Sequence, residues 1–425
     1  MSHRESSAQK SAVEGGALPC EGGSLPLSGT RIVSFCHYLQ GPAATQYLAD
    51  MGADVIKVEP LTGAFERHWS GADLYADGAS VFFLAANRNC RSLAVDLKSE
   101  SGKQVVRELI AGAQVVLENY RPGALERLGF GYEACKILNP GIVYASATGY
   151  GSSGPLVDKP GQDLLVQARC GLAAATGPTP TPVGGTVIDQ HGATLLAMGI
   201  LAALVKKART GEGSRVEASL LNAGIDLQME GITAFLTGNF GPGQLDRHRR
   251  LATWLHQAPY GLYPLADCSI VLPLTDAVKL AQALDSPELS EISGIDLYTH
   301  RDQYALVLEK VLSERRFDDV ASALDRHGIW FAKVQTYADL KADAQLQHNR
   351  VFRNVRIGDK DVVLVNHPIR YDGNVLPLRH IALRPGQDSR QILGELGYSE
   401  QRVDELLASG SVVSADARPW TQERL

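Results

Sequence analysis

The chain has 425 residues, a formal net charge of −6, 44% hydrophobic and 21% charged residues. It is long enough to bury a sizeable core in one large domain or two. Its charges are mixed along its length with no basic block, which excludes an electrostatic surface for nucleic acid or anionic membrane.

Six cysteines (Cys20, Cys36, Cys90, Cys135, Cys170, Cys268) lie far apart without a C-x-x-C pair. That argues against a disulfide framework or a structural zinc site and for a reducing cytoplasm. Residues 1–24 are rich in Ser, Gly, Ala and Glu, with no apolar h-region and few arginines. They read as a disordered tail rather than a signal or transit peptide.

Arg31-Ile-Val-Ser-Phe35 reads as the first strand. Gly41-Pro42 follows, with Pro42 placed as the first helical residue of a helix over Ala43 to Met51 that Gly52 stops. Asp54 to Val58 is the next strand. Ser101 is expected to cap a helix whose Val105, Val106, Leu109 and Ile110 share one face. Val115 to Leu117 and Ile142 to Thr148 are two more strands. Strands alternating with helices predict an α/β fold, a Rossmann-like large domain with a mainly parallel sheet. The apolar run Ala193–Val205 falls short of the ~20 residues that span a bilayer and reads as a buried helix. From 227 to 257 the pattern weakens and predicts a linker or ordered loop. A smaller α+β domain is expected over 258–350, with helices at Arg301–Ser313 and Phe317–Arg326. Residues 351–425 form a return segment that completes the large domain of 25–226, with helices near Ser389–Leu396 and Glu400–Leu407.

Ligands of parallel α/β sheets bind outside the carboxyl ends of the strands. Asn119, Tyr120 and Arg127 gather at one such end, where Pro122 and Gly123 break the backbone after Val115–Leu117. Gly149-Tyr-Gly-Ser-Ser-Gly154 spells a dinucleotide fingerprint. Pro155 and Pro160 place a loop where the fingerprint needs a helix, which speaks against nicotinamide or flavin. No Walker pattern is present, and the eleven histidines do not cluster with metal-ligand spacing, so no metal site is expected. Asp189 follows the apolar Thr186-Val-Ile188 and precedes the long apolar helix. It reads first as a helix N-cap, a role that does not exclude a carboxylate kept charged at a helix N-terminus for attack on an acyl group. Asp163, ahead of the helical Leu164 to Ala168, is a second cap or functional carboxylate.

Several ordered motifs carry a resemblance. They are Gln40-Gly-Pro-Ala-Ala44 with Gly52-Ala-Asp-Val-Ile-Lys-Val-Glu59, Arg91-Ser-Leu with Asp96-Leu97-Lys98, and Glu118-Asn-Tyr-Arg-Pro-Gly-Ala-Leu-Glu-Arg-Leu-Gly-Phe130. Thr148-Gly-Tyr-Gly with Gly154-Pro155 completes the set. Together they resemble the family III CoA-transferases, which include formyl-CoA and carnitine CoA-transferases and α-methylacyl-CoA racemase. The match runs from about Ser28 to Asp226 and continues more weakly to Gly394-Glu-Leu-Gly-Tyr398.

The resemblance implies an interlocked homodimer and an acyl-CoA thioester as substrate, with no permanently bound cofactor. It implies Asp189 as the catalytic nucleophile and Gln40, Val95, Lys98, Asn119, Tyr120, Arg127 and Asp163 around CoA. The chain departs from the family at Leu39, where some members carry Gln, and at Pro60, where some carry a phosphate-binding Arg. Gly238-Asn-Phe-Gly-Pro-Gly243 is a poor substitute for the glycine run of formyl-CoA transferase.

The expected activity is transfer of CoA from an acyl-CoA to a small carboxylic acid, with a dicarboxylate such as succinate as the first choice. Arg247, Arg249 and Arg250 are candidates to draw that acid in, or simply a solvated basic loop. The alternatives are a 2-methylacyl-CoA racemase and a non-catalytic CoA-binding protein. Racemases of the family carry a His before the position of Asp163, and here it is Gln162, which is no base.

Overall fold

A computed structural model describes residues 25–415, so the tail expected at 1–24 lies outside the described residues. The chain divides into two compact units. The first takes the described parts of Met1–Gly161, Asp189–Ala223 and Gln345–Leu425. The second takes Gln162–Ile188 and Gly224–Ala344.

The first unit is built on a seven-stranded sheet. Its spatial order is Val412–Val413, Cys90–Val95, Asp54–Glu59, Arg31–Phe35, Val115–Glu118, Val143–Thr148 and Ser214–Ser219. Every pairing is parallel except that of Val412–Val413 with Cys90–Val95. The inner strands bury both faces, which is why they read as continuous apolar runs rather than alternating ones. Ile32, Val55, Val115 and Leu117 pack on one face with Ala43, Ala44 and Leu48, and with Ala193, Leu196 and Ile200 of the long helix Val187–Thr210. Val33, Phe35, Ile56 and Val116 pack on the other with Val105, Val106, Leu109 and Ile110, joined by Ile392, Leu393, Val403 and Leu406 of the C-terminal helices. The long helix is by length and composition apolar enough to cross a membrane. One face of it, with Ala193, Leu196 and Ile200, lies in the core, while Met198 and Val205 are exposed.

The strand Arg31–Phe35 has Asp54–Glu59 on one side and Val115–Glu118 on the other. The strand order therefore reverses between Arg31–Phe35 and Val115–Glu118. At such a switch point two connections leave in opposite directions and open a crevice at the carboxyl ends.

Several local expectations shift. The first helix spans Gln40–Asp50, so Pro42 is its third residue rather than its first. Ser99, not Ser101, caps the helix Glu100–Ala111, its hydroxyl accepting the Gly102 N–H at 3.0 Å. Gly149–Gly154 leads into turns, and the next helix starts only at Asp163. A Cβ at Gly149 would lie 2.5 Å from the Gly161 Cα, so the two glycines pinch the neck of that loop. The stretch expected as a linker contains the helix Met229–Thr237. Met229, Ile232, Phe235 and Leu236 carry its helical spacing, which Gly231 and the glycines after 237 obscure in the sequence. After Val365 loops do follow, but a hairpin of Phe352–Ile357 with Lys360–Val365 precedes them.

The second unit is α+β. Strands Gly261–Pro264, Ser269–Leu272 and Ala332–Lys333 form an antiparallel sheet. Helices Arg301–Ser313 and Phe317–Arg326 pack Tyr304, Leu308, Leu312 and Leu324 into one core with Tyr263 and Ile270. The segment Gln162–Ile188, expected in the large domain, belongs to this unit. Gln228 holds it there by donating from Nε2 to the carbonyls of Cys170 at 3.2 Å and Gly224 at 2.7 Å.

Candidate active site

The connection from Phe35 to Gln40 is tied down by side chains distant in sequence. Asn119 accepts the His37 N–H at Oδ1 (3.0 Å) and donates from Nδ2 to the His37 carbonyl (2.8 Å). Lys57 Nζ donates to the Cys36 carbonyl at 2.6 Å and pairs with Glu66 Oε1 at 2.8 Å. Glu66 Oε2 accepts the Tyr38 N–H at 3.2 Å. The Lys57 and Glu66 side chains are 4% and 0% exposed. Removing two charges from water costs several kcal/mol per ion, and an ion pair offsets this only when further hydrogen bonds satisfy both partners. Here the backbone of Cys36–Tyr38 supplies those bonds. Burial pushes His37 below the usual imidazole range, while Glu66 pulls the other way.

Gln40 follows as the first residue of its helix. It is 5% exposed, and its Nε2 has no hydrogen-bond partner among the described residues. A Cβ on Gly192 would sit 2.6 Å from that Nε2, so the amide lies against the glycine. Gly192 is three residues beyond Asp189, about one turn further along the helix Val187–Thr210. The Tyr47 hydroxyl donates to Gln190 Oε1 at 3.1 Å and ties the same turn to the first helix. Asp189 is the third residue of its helix rather than its cap. A carboxylate in a first turn sits among N–H groups that have no helical partner, where negative charge is favoured. The structure thus brings the unsatisfied Gln40 amide beside the turn that carries Asp189.

The other expected CoA residues follow the carboxyl ends of parallel strands and so share one edge. Tyr120 lies 5.1 Å from the His37 ring, centroid to centroid, and its N–H is accepted by Glu118 at 2.9 Å. Burial lifts the Tyr120 phenol to about 12 and Glu118 to about 7. Gly123, at φ 79°, opens the helix Ala124–Leu128, and a Cβ there would meet Arg127 Nη1 at 3.1 Å. The exposed guanidinium therefore folds back over the glycine. Lys98 is exposed beside the end of Cys90–Val95. Val95 buries its side chain in the core and leaves only backbone to a ligand.

Asp163 is placed differently from an open site carboxylate. It is buried, with Oδ1 accepting from Gln167 Nε2 at 2.6 Å and Oδ2 from the N–H of Ile188, the residue before Asp189, at 2.8 Å. It thereby fixes the chain just ahead of Asp189. The basic loop is spent as well. Arg247 is buried and donates to the carbonyls of Leu251, Ala175 and Thr176, while Arg249 and Arg250 both pair with Glu309. These arginines therefore do not form an open cationic trap.

Sequence reasoning missed Lys57, Glu66 and Gln167. Lys57 did leave a signal, since a lysine inside the apolar run Val55-Ile56-Lys57-Val58 requires a buried acid. Which acid it meets is set by the loop that returns Phe65–Arg67 over the strand ends.

The pattern of CoA-transferase family III matches residues 27–389. Succinyl-CoA:glutarate CoA-transferase of Mus musculus is 32% identical over 400 residues, covering 91% of this chain and 90% of that protein. Acetyl-CoA:oxalate CoA-transferase of Acetobacter aceti is 29% identical over 360 residues, covering 82% and 90%. The crystal structure of a CAIB/BAIF family protein from Brucella suis superposes with a TM-score of 0.76 at 28% identity, covering 88% of this chain and all of that one. With the family match spanning most of the chain, this protein belongs to CoA-transferase family III and is an acyl-CoA:carboxylate CoA-transferase.

Proposed function

We propose that Asp189 carries CoA transfer through covalent aspartyl intermediates. Its carboxylate attacks the thioester carbonyl, the C–S bond breaks, and a mixed anhydride and CoA thiolate result. The thiolate then attacks the aspartyl carbonyl of the anhydride. The donor acid leaves as a carboxylate and CoA is held as an aspartyl thioester. The acceptor carboxylate attacks that thioester and expels the thiolate, and the returning thiolate takes the acyl group from the new anhydride and frees Asp189. Each step forms one acyl bond and breaks one, so no oxidant or external base is needed, and a hard exchange is divided into easier ones.

The observation that carries this reading is the buried, unpartnered Gln40 amide against Gly192, one turn from Asp189. A preorganised donor beside a nucleophile is what a developing oxyanion requires. Lys98 and Arg127 hold phosphates, Tyr120 packs on the nucleotide or pantetheine, and Asn119 shapes the crevice through His37. Asp163 holds the start of the nucleophile helix. Gln162 opens the helix Asp163–Arg169 without a side-chain cap bond and has no proton-accepting group, so the racemase reading lacks its second base.

A dicarboxylate as one of the two acids is supported by the names of the relatives, which include glutarate and oxalate transferases. Five unpaired cysteines among the described residues fit a reducing cytoplasm. The test is to mix the protein with succinyl-CoA and quench with hydroxylamine. A hydroxamate on Asp189, absent from Asp189→Ala, is expected by peptide mass. Unchanged transfer by Asp189→Ala overturns the reading.

A further inference from the structure

Close to Gln40 in the chain runs a series of rings, of which Tyr38, Phe65 and Trp69 have no part in the transfer chemistry. Tyr38 lies 5.3 Å from Phe65, Phe65 lies 6.4 Å from Trp69, and Trp69 meets Phe82 edge-on at 5.1 Å. At the other end Tyr38 meets His37 at 5.0 Å, and His37 meets Tyr120. Tyr38, Phe65 and Trp69 are 48%, 40% and 40% exposed. Their chain connection is short, because Tyr38 stands two residues before Gln40.

We propose that Tyr38, Phe65 and Trp69 form an acyl subsite that takes a carboxylic acid with an apolar side chain, an aryl or branched alkyl group. The inference rests on the transfer reading above and names the class of its second acid.

Three observations support it. The first is the backbone of Tyr38, at φ 60°. A bulky side chain rarely adopts this region, and such strain persists where the surroundings enforce it for a purpose. Here the enforcing group is the buried Glu66–Lys57 pair, which holds the Tyr38 N–H and turns the ring outward.

The second is the charge at the strip. Its two strong cations are already neutralised inside the fold, Lys57 by Glu66 and Arg67 by Glu59, each at 2.8 Å. His37 is held toward its neutral form by burial. Neither Lys57 nor Arg67 is left open to the distal carboxylate of a diacid, whereas ring faces and edges stabilise apolar and aromatic groups.

The third is continuity. Tyr38 stands two residues before Gln40 and its ring meets His37, whose backbone Asn119 clamps at the neighbouring strand end, so the strip begins at the crevice edge.

The test has a binding arm and a turnover arm. In the binding arm, phenylacetyl-CoA, isovaleryl-CoA and succinyl-CoA are titrated calorimetrically into Asp189→Ala, which holds thioesters without consuming them. At least ten-fold tighter binding of the two apolar thioesters is expected. That preference should fall about ten-fold when Trp69→Ala or Phe65→Ala is added. Equal affinities, or a preference for succinyl-CoA, overturn the subsite whatever the turnover shows. So does a preference that both substitutions leave intact.

In the turnover arm, wild-type protein with succinyl-CoA is offered phenylacetate, isovalerate and glutarate. A higher kcat/KM for the apolar acids supports the proposal, and a higher value for glutarate overturns it. Failure to transfer CoA to any acid, with the binding preference present, would sink the transfer reading and leave the subsite standing. If Trp69→Ala instead breaks the protein into smaller particles by light scattering, the strip is an interface between copies and the subsite is wrong.

Discussion

Gln40, Lys57 and Glu66 show how single residues set this site. The Lys57–Glu66 pair is buried and satisfied only because the backbone of Cys36–Tyr38 supplies its remaining partners. Removing one member leaves the other charged and unpaired. Glu66→Ala is therefore expected to cost about 3–5 kcal/mol of stability, and the double change Lys57→Met with Glu66→Leu distinctly less. Urea denaturation of the three proteins measures both.

Glu118 makes a second residue-scale prediction. Its pKa is raised by burial from 4.5 to about 7. The folded state thus keeps a proton that the unfolded chain has already lost between those values. Stability contributed by this group is lost as pH rises through that window, up to ~3 kcal/mol by pH 8. Glu118→Gln removes the penalty and keeps an acceptor for the Tyr120 N–H. Its melting temperature relative to wild type should rise from pH 4 to pH 8. A flat difference across that range would show that Glu118 is not the titrating group.

Among the elements, the long helix Val187–Thr210 does two things at once. Its Ala193, Leu196 and Ile200 fill the core, while its first turn presents Asp189. Gly192 is where the two roles meet, since only a residue without a side chain admits the Gln40 amide. In Gly192→Ala the new methyl displaces the free end of a flexible side chain rather than backbone. Helix propensity itself favours Ala over Gly by about 1 kcal/mol. The variant is expected to keep or gain thermal stability while kcat falls at least ten-fold. Thermal melting beside steady-state kinetics separates the two effects, and a parallel loss of both would mean that Gly192 is needed only for packing. The helix Met229–Thr237 makes the complementary point. Its apolar spacing is helical, yet none of its described residues is buried. Gly231 and the glycine-rich stretch after it obscure its periodicity in the sequence.

For the whole molecule, we propose the interlocked homodimer that the family resemblance implies. The support is that each unit by itself exposes large apolar side chains, Met198 and Val205 in the first, Met229, Leu236, Trp330 and Tyr337 in the second. Met229 and Leu236 stand seven residues apart on one helix and so share a face, and a continuous apolar face is what an interface between copies presents. Light scattering on the purified protein should give twice the chain mass, near 91 kDa, from the 45.7 kDa chain. A Leu236→Asp, Met229→Asp double variant should lower that mass, and a single-chain mass for the wild type would end the proposal.

The sequence alone determined the parallel sheet, because strands buried on both faces must be written as apolar runs. It also determined one crevice edge, because Asn119 and Tyr120 directly follow the end of the strand Val115–Glu118. The motifs were enough to place the chain in its family. What only the tertiary structure decided are contacts between residues far apart in the chain. Gln40 lies on Gly192, Asn119 clamps His37, Glu66 turns Tyr38 outward, and Asp163 holds Ile188. Local sequence encodes backbone preference and which face is apolar. It does not encode which buried charge meets which loop, because that depends on where the sheet reverses its strand order and brings separate connections together.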